Sequence, residues 1–246
     1  MSDGTAKGPA AEAARLIGEA TLGQRQATAE ALDTPKRTPA RVLDMMRHAL
    51  TRAEDIIHQV LDLVPPPQPI ACGANCPWCC HVRLTASPPE VLLVLDHIEK
   101  KFDDQQKAAL KRKVANVDAF TRARDGDARA KMRLPCPLLK DGSCSVHHVR
   151  PLSCRAVVSV DVAACRRSYE SRMQEPVPQH EMQLNAANGV GYGLHAGLVD
   201  AGFGVEDVEM NAALAIGLDE PDIAKRWLAG EPVFEPATLV IPEPQE

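Results

Sequence analysis

The chain has 246 residues, 45% of them hydrophobic and 25% charged, which is enough apolar material for one large or two small cores and excludes an intrinsically disordered polymer. Only four Phe, two Tyr and two Trp are present beside abundant Ala and Leu, which disfavours a β-sandwich and predicts a mostly α fold. The net charge of −5 is uneven: residues 1–174 carry 26 Lys and Arg against 20 Asp and Glu, and residues 175–246 carry 2 against 13, so an acidic tail is expected to pack on or shield a basic body.

Met1 to Ala10 is polar, with no basic stretch leading into an apolar one, so no export signal is visible. No apolar run approaches the roughly 18 residues needed to cross a bilayer, and the expectation is a cytoplasmic protein without membrane contact. Ala10–Leu32 and Pro39–Leu63 have helical spacing, the second through Val42, Met45, Met46, Ala49, Ala53, Ile56, Ile57, Val60 and Leu61. Asp33-Thr34-Pro35 breaks the first, and Thr38-Pro39 offers an N-cap with proline at the first helical position of the second. Pro65-Pro66-Pro67-Gln68-Pro69 cannot continue a helix. It divides an N-terminal helical segment, 1–64, from a cysteine-rich segment, 65–175, and an acidic helical segment with a proline-rich end follows at 176–246.

All eight cysteines lie between residues 72 and 165. The first group is Cys72-x3-Cys76-x2-Cys79-Cys80, with Gly73 expected to permit a tight turn. Thiolates at such spacing in a reducing compartment are soft metal ligands in preference to disulfide partners, and sulfur donors select zinc, copper(I) or iron–sulfur clusters. Neighbouring side chains point apart, so Cys79 and Cys80 are not expected to share one ion: two centres, a second iron of one cluster, or a free Cys80 thiol all remain open. Ser87-Pro88-Pro89-Glu90 is a capping box that predicts a helix to about Phe102, and a second helix is expected from Asp104 to Arg124, ended by Asp125-Gly126-Asp127. These helices separate the cysteine groups, so tertiary folding must unite the ligands, and metal loss should loosen the whole domain.

The second group begins Cys136-Pro137-Leu138-Leu139-Lys140-Asp141-Gly142-Ser143-Cys144, where Asp141-Gly142 supplies a turn folding its two cysteines together. Cys154 follows between Arg150 and Arg155, whose guanidinium groups can compensate a multi-thiolate charge, and Cys165 completes eight donors, enough for two four-coordinate sites. His147, His148 and His81 are lesser ligand candidates, more suited to supporting the ligands than to joining them. Beyond His180 helical spacing returns over Met182–Val199, Val205–Ile216 and Glu220–Leu228, and Glu231–Glu246, with four prolines, should be irregular. Gly189, Gly191 and Gly193 follow no strand and miss the phosphate-loop spacing, which leaves close helix packing as their reading.

The ordered set C-x3-C-x2-C-C, C-P-x-L-x-x-G-x-C and R-P-x-x-C-R resembles the bacterial cysteine-cluster proteins of the CxxCxxCC or YkgJ type, described as a zinc- or iron-chelating domain. The resemblance spans about residues 72–165. It implies chelation by Cys72, Cys76, Cys79, Cys80, Cys136, Cys144 and Cys154, with Cys165 outside the shared pattern. The first spacing is three residues where the family has two, and His147 stands where the family usually has Tyr.

Three other readings compete. C-x3-C-x2-C with Trp78 resembles the cluster loop of radical S-adenosylmethionine enzymes, which requires a β/α barrel; separately, the YkgJ-type resemblance implies relatives in flagellin lysine methylases, which keeps a protein-modifying activity open. Cys76-Pro77-Trp78-Cys79 has the spacing of thiol–disulfide redox proteins, which requires a preceding strand, and only Ile70 favours one. The acidic tail could instead serve a protein partner, while scarce aromatics and interspersed acids argue against nucleic acid at Lys100–Arg133. No catalytic triad, phosphate loop or paired carboxylate is visible, so no catalytic residue is assigned. The reading the residues favour is a mostly α protein stapled by an iron–sulfur cluster or zinc held in irregular loops.

Overall fold

The computed structural model describes residues 8–239, apart from 74, 123, 125, 205 and 206. Two long helices open the chain, α1 (Pro9–Leu32) and α2 (Pro39–Leu63), each with proline in its first turn. The Thr38 hydroxyl caps α2 by accepting the Arg41 N–H at 3.3 Å. The apolar stripe of α2 is buried as its spacing predicts except for the half-buried Leu61, and Val42, Met46 and Val60 are fully enclosed. Each such side chain contributes about 1.5–3 kcal/mol relative to exposure.

A 3₁₀ turn at Trp78–His81 and strand β1 (Thr85–Ala86) lead into α3 (Pro88–Lys101). The predicted capping box is formed: the Ser87 N–H and hydroxyl both donate to Glu90 Oε2 at 2.7 Å. Next come α4 (Asp104–Thr121), capped by Asp103, and a short α5 (Gly126–Met132). Gly126 therefore opens a helix where an ending was expected, and α4 stops three residues before Arg124. Strands β2 (Leu139–Lys140) and β3 (Ser143–Cys144) form a hairpin, followed by α6 (Leu152–Ala156) and α7 (Val162–Glu170).

Helix α8 (Glu181–Asp200) packs against α1, α2 and α6. It runs parallel to α1 at very close range, because Gly189, Gly193 and Gly197 present no side chain: a Cβ at Gly193 would strike the Thr21 carbonyl, and one at Gly197 would lie 2.5 Å from the Arg25 carbonyl. Small-residue packing is thus the role of this glycine series, with Gly197 joining it and Gly191 facing elsewhere. Strand β4 (Val208–Glu209) pairs antiparallel with β1 and precedes α9 (Met210–Gly217) and α10 (Ile223–Leu228). The helix expected from Val205 starts at Met210, because Val208 and Glu209 are taken up by pairing with Ala86 and Thr85; residues 205 and 206 of that expectation lie outside the described residues. The irregular end shows a 3₁₀ turn at Glu235–Ala237, and 240–246 again lie outside.

The N-terminal and C-terminal segments of the sequence share one core, since α1 and α2 close on α8. The acidic tail meets the basic body through Arg25–Asp200, paired at 2.6 and 2.8 Å, and through Lys111–Asp219. Exposed pairs contribute about 0–1 kcal/mol, so apolar burial, not charge, holds the tail in place. No helix among the described residues is long and apolar enough to cross a membrane. Every strand pair among them is antiparallel, so the βα context required by the radical-enzyme and C-x-x-C redox readings does not appear there.

Candidate metal centre

The loop carrying the first cysteines is tied down at Ser159. Its carbonyl accepts the Ala71 N–H at 2.9 Å, and its own N–H points at Cys72 Sγ, 3.2 Å away. The turn that follows closes between the Cys76 N–H and the Gly73 carbonyl at 3.3 Å, and its left-handed residue is Asn75 (φ 63°), not Gly73. Asparagine tolerates that conformation because its short amide bonds locally. Cys79 and Cys80 lie on the 3₁₀ turn, which Tyr169 of α7 pins from outside: its ring centre is 5.4 Å from Trp78 and 4.7 Å from His81, and the Arg133 guanidinium lies 5.3 Å over it. Helix α7 also carries Cys165 and is N-capped by Asp161, which accepts the Ala164 N–H at 3.0 Å.

The hairpin brings the second group in. Asp141 and Gly142 both have positive φ (50° and 79°), the two-residue turn that an Asp-Gly pair favours, and it sets Cys144 opposite Leu139. The Cys136 N–H donates to the Cys80 carbonyl at 2.6 Å, and the Ser143 hydroxyl lies 3.0 Å from Asn75 Oδ1, so the two cysteine loops touch twice. Cys154 sits on α6, whose first N–H, at Leu152, donates to Glu90 Oε1 at 2.8 Å.

The eight thiols gather into two overlapping neighbourhoods. Cys165 feels the charge of Cys72, Cys76 and Cys79. Cys80 feels Cys79, Cys136 and Cys144, and Cys154 feels Cys136, Cys144 and Cys79. Burial pushes the Cys136 thiol up to about 11 and raises Cys76, Cys144, Cys154 and Cys165 as well. Cys79 goes the other way, to about 6, because the Cys80 thiol donates to it; the same hydrogen bond, with burial, raises Cys80. Backbone N–H groups two residues downstream support the sulfurs of Cys76, Cys136 and Cys144.

Guanidinium groups complete the site, but not the expected pair. Arg150 acts on Cys79, Cys144 and Cys154, and its Nε is buried without a hydrogen-bond partner. Arg155 turns away instead, to Glu54 of α2 and to the His148 and Arg150 carbonyls at 2.8 and 3.2 Å. Its expected place is taken by Arg129 of α5, which acts on Cys136 and leaves Nε and Nη1 buried and unpartnered. No motif flagged Arg129; a basic residue seven positions before Cys136 was the only trace. His81 Nδ1 lies 3.0 Å from the Pro77 carbonyl, and His147 contacts Arg150, so both imidazoles have other partners.

Among the described residues, no three His, Cys, Asp or Glu side chains converge closely enough to hold an ion as they stand. All eight sequence-derived cysteines are nonetheless free thiols in one region, and the donor chemistry suits soft metals. The chain matches no family model, no curated protein and no solved structure.

Proposed function

We propose that this protein is a metal chelator that holds an iron–sulfur cluster or zinc through Cys72, Cys76, Cys79, Cys80, Cys136, Cys144, Cys154 and Cys165, in the manner of the YkgJ-type proteins it resembles. One observation carries the reading: beside these thiols lie the buried guanidinium of Arg129 and the half-buried one of Arg150, each with enclosed nitrogens that no acceptor satisfies. A buried donor left unmade costs about 1–3 kcal/mol, more when charged, and neutral thiols are poor acceptors. Thiolates around a metal carry the negative charge that would satisfy both arginines.

The bound group would supply a closed structural tetrahedron as zinc, or one-electron chemistry as an iron–sulfur cluster. The chain's own groups prepare for it. The Ser159 N–H at Cys72 and the backbone N–H groups at Cys76, Cys136 and Cys144 stabilise sulfur as thiolate. Ligation requires the sulfurs to turn inward from the positions described and to release protons, so loading should acidify an unbuffered solution. We assign the protein to the cytoplasm, where thiols stay reduced, with the acidic tail available to a protein partner and with no role for nucleic acid or membrane.

The test is the metal and sulfide content of protein purified without oxygen, with its visible spectrum. Iron with acid-labile sulfide and broad absorption near roughly 400 nm, bleached by dithionite, identifies a cluster. Colourless protein with about one or two zinc ions per chain identifies the structural alternative. Protein that holds neither, and takes up neither on reconstitution, rules chelation out.

A further inference from the structure

The geometry points to two centres of unequal lability: an outer one of Cys72, Cys76, Cys79 and Cys165, and an inner one of Cys80, Cys136, Cys144 and Cys154. This inference rests on the chelation reading and divides its ligands. Ser159 joins the outer set, because its N–H meets Cys72 Sγ at 3.2 Å and its hydroxyl accepts the N–H of Asp161 at 3.0 Å, the residue that caps the α7 helix carrying Cys165. Tyr169 holds α7, and with it Cys165, against the 3₁₀ turn beside Cys79. The inner set is joined by the 2.6 Å bond from the Cys136 N–H to the Cys80 carbonyl and by the hairpin that folds Cys144 back beside Leu139.

Cys79 and Cys80 stand at the joint. Their sulfurs touch as they stand, but successive residues of a 3₁₀ turn leave the backbone about 120° apart, so each can turn to a different side when it ligates. The inner group already has four sulfurs without Cys79, whereas Cys72, Cys76 and Cys165 need a fourth, and a closed soft-metal site takes four. Exposure leans the same way. Cys72 and Cys79 of the outer set are exposed, while Cys76, Cys165 and all four inner cysteines are partly covered. Guanidinium charge falls mainly on the inner set, since Arg129 reaches Cys136 and Arg150 reaches Cys144 and Cys154 as well as Cys79 at the joint. Water can screen the charge of the outer set and also admits a competing ligand to it.

The experiment loads the full chain with zinc alone under argon and follows its release to a chromophoric chelator. Two zinc ions per chain, leaving in a fast and a slow phase of equal amplitude, are expected. Cys165→Ser, on the surface-facing α7, should halve the bound zinc and delete only the fast phase; Cys154→Ser should delete the slow one. Helical circular dichroism shows whether each variant is folded, and Cys165→Ser decides the matter should Cys154→Ser not fold. Complete loss of zinc from folded Cys165→Ser, or no loss, overturns the division while leaving chelation intact. Wild-type protein that binds neither zinc nor iron overturns the chelation reading itself.

Discussion

Glu90 shows how one side chain can organise a site it does not enter. Its carboxylate is buried, which raises its pKa, and it accepts the Ser87 N–H and hydroxyl at one oxygen and the Leu152 N–H at the other. The cap of α3 and the start of α6, which carries Cys154, therefore meet at a single residue. Glu90→Ala leaves two buried backbone donors unmade, at about 1–3 kcal/mol each, and should lower the urea midpoint accordingly. An unchanged midpoint would show that water or another acceptor serves them. His195 is the residue through which stability should depend on pH. Its Nδ1 lies 2.8 Å from the Gly191 carbonyl and its Nε2 2.7 Å from Asp207 Oδ1. Both partners only accept, so a ring that satisfies both is cationic. The hydrogen bond to Asp207 raises its pKa against the opposing effect of burial, with the Asp207 and Glu90 charges adding to the rise. A folded value above the ordinary value of about 6.5 means the contribution is complete below that pH and is lost as pH rises through the folded value. The melting temperature of wild type minus that of His195→Gln should therefore shrink from pH 6 to pH 9; a constant difference would contradict a charged ring.

At the level of elements, the glycines of α8 give predictions of opposite sign. Gly193→Ala drives a methyl group into the Thr21 backbone, which cannot move aside as a side chain can, and should destabilise by about 1–3 kcal/mol. Gly191→Ala meets only Leu152 Cδ1 at 4.0 Å, so helix propensity should dominate and stabilise by up to about 1 kcal/mol. Thermal melts of the two variants would separate close helix contact from a general intolerance of substitution in α8. The long helices were legible in the sequence because their signals are local: an apolar stripe, Thr38-Pro39 at the start and a proline run at the end bracket α2 to the residue. The start of α9 was not, because Val208–Glu209 pairs with Thr85–Ala86, more than 120 residues earlier in the chain, and no local pattern encodes that partner. Once the pairing is made, Glu209 caps the helix by accepting the Ala212 N–H at 2.7 Å. The α5 helix was hidden for a related reason, since Asp125-Gly126 reads equally well as a stop and as a restart.

For the whole molecule, the nature of the donors was legible and their partition was not. Thiols at short spacing identify soft-metal chemistry anywhere, but the grouping depends on Ser159 meeting Cys72 and on Cys136 meeting Cys80, contacts made across 87 and 56 positions. The same distances bear on what metal removal should do. The buried core is drawn from α1, α2, α3, α8, α9 and their neighbours, and the cysteine segments add to it only Leu138, Val146, Leu152 and Ala156. The bundle therefore has its own apolar stabilisation, and a metal would staple the loops to one another more than it holds the helices together. Stripping the metal with a chelator should leave helical circular dichroism nearly unchanged while amides of residues 71–81 and 136–165 lose protection from hydrogen exchange. The two tryptophans report the two regions separately. Trp78 stacks near Tyr169 among the cysteines, and Trp227 is buried 4.6 Å from Phe203 in the bundle. In Trp227→Phe, the remaining Trp78 emission should shift on metal loss; in Trp78→Phe, the Trp227 emission should not. A cooperative loss of both signals, with the helical one, would mean that the metal centre holds the entire fold together and that the apolar bundle is insufficient without it.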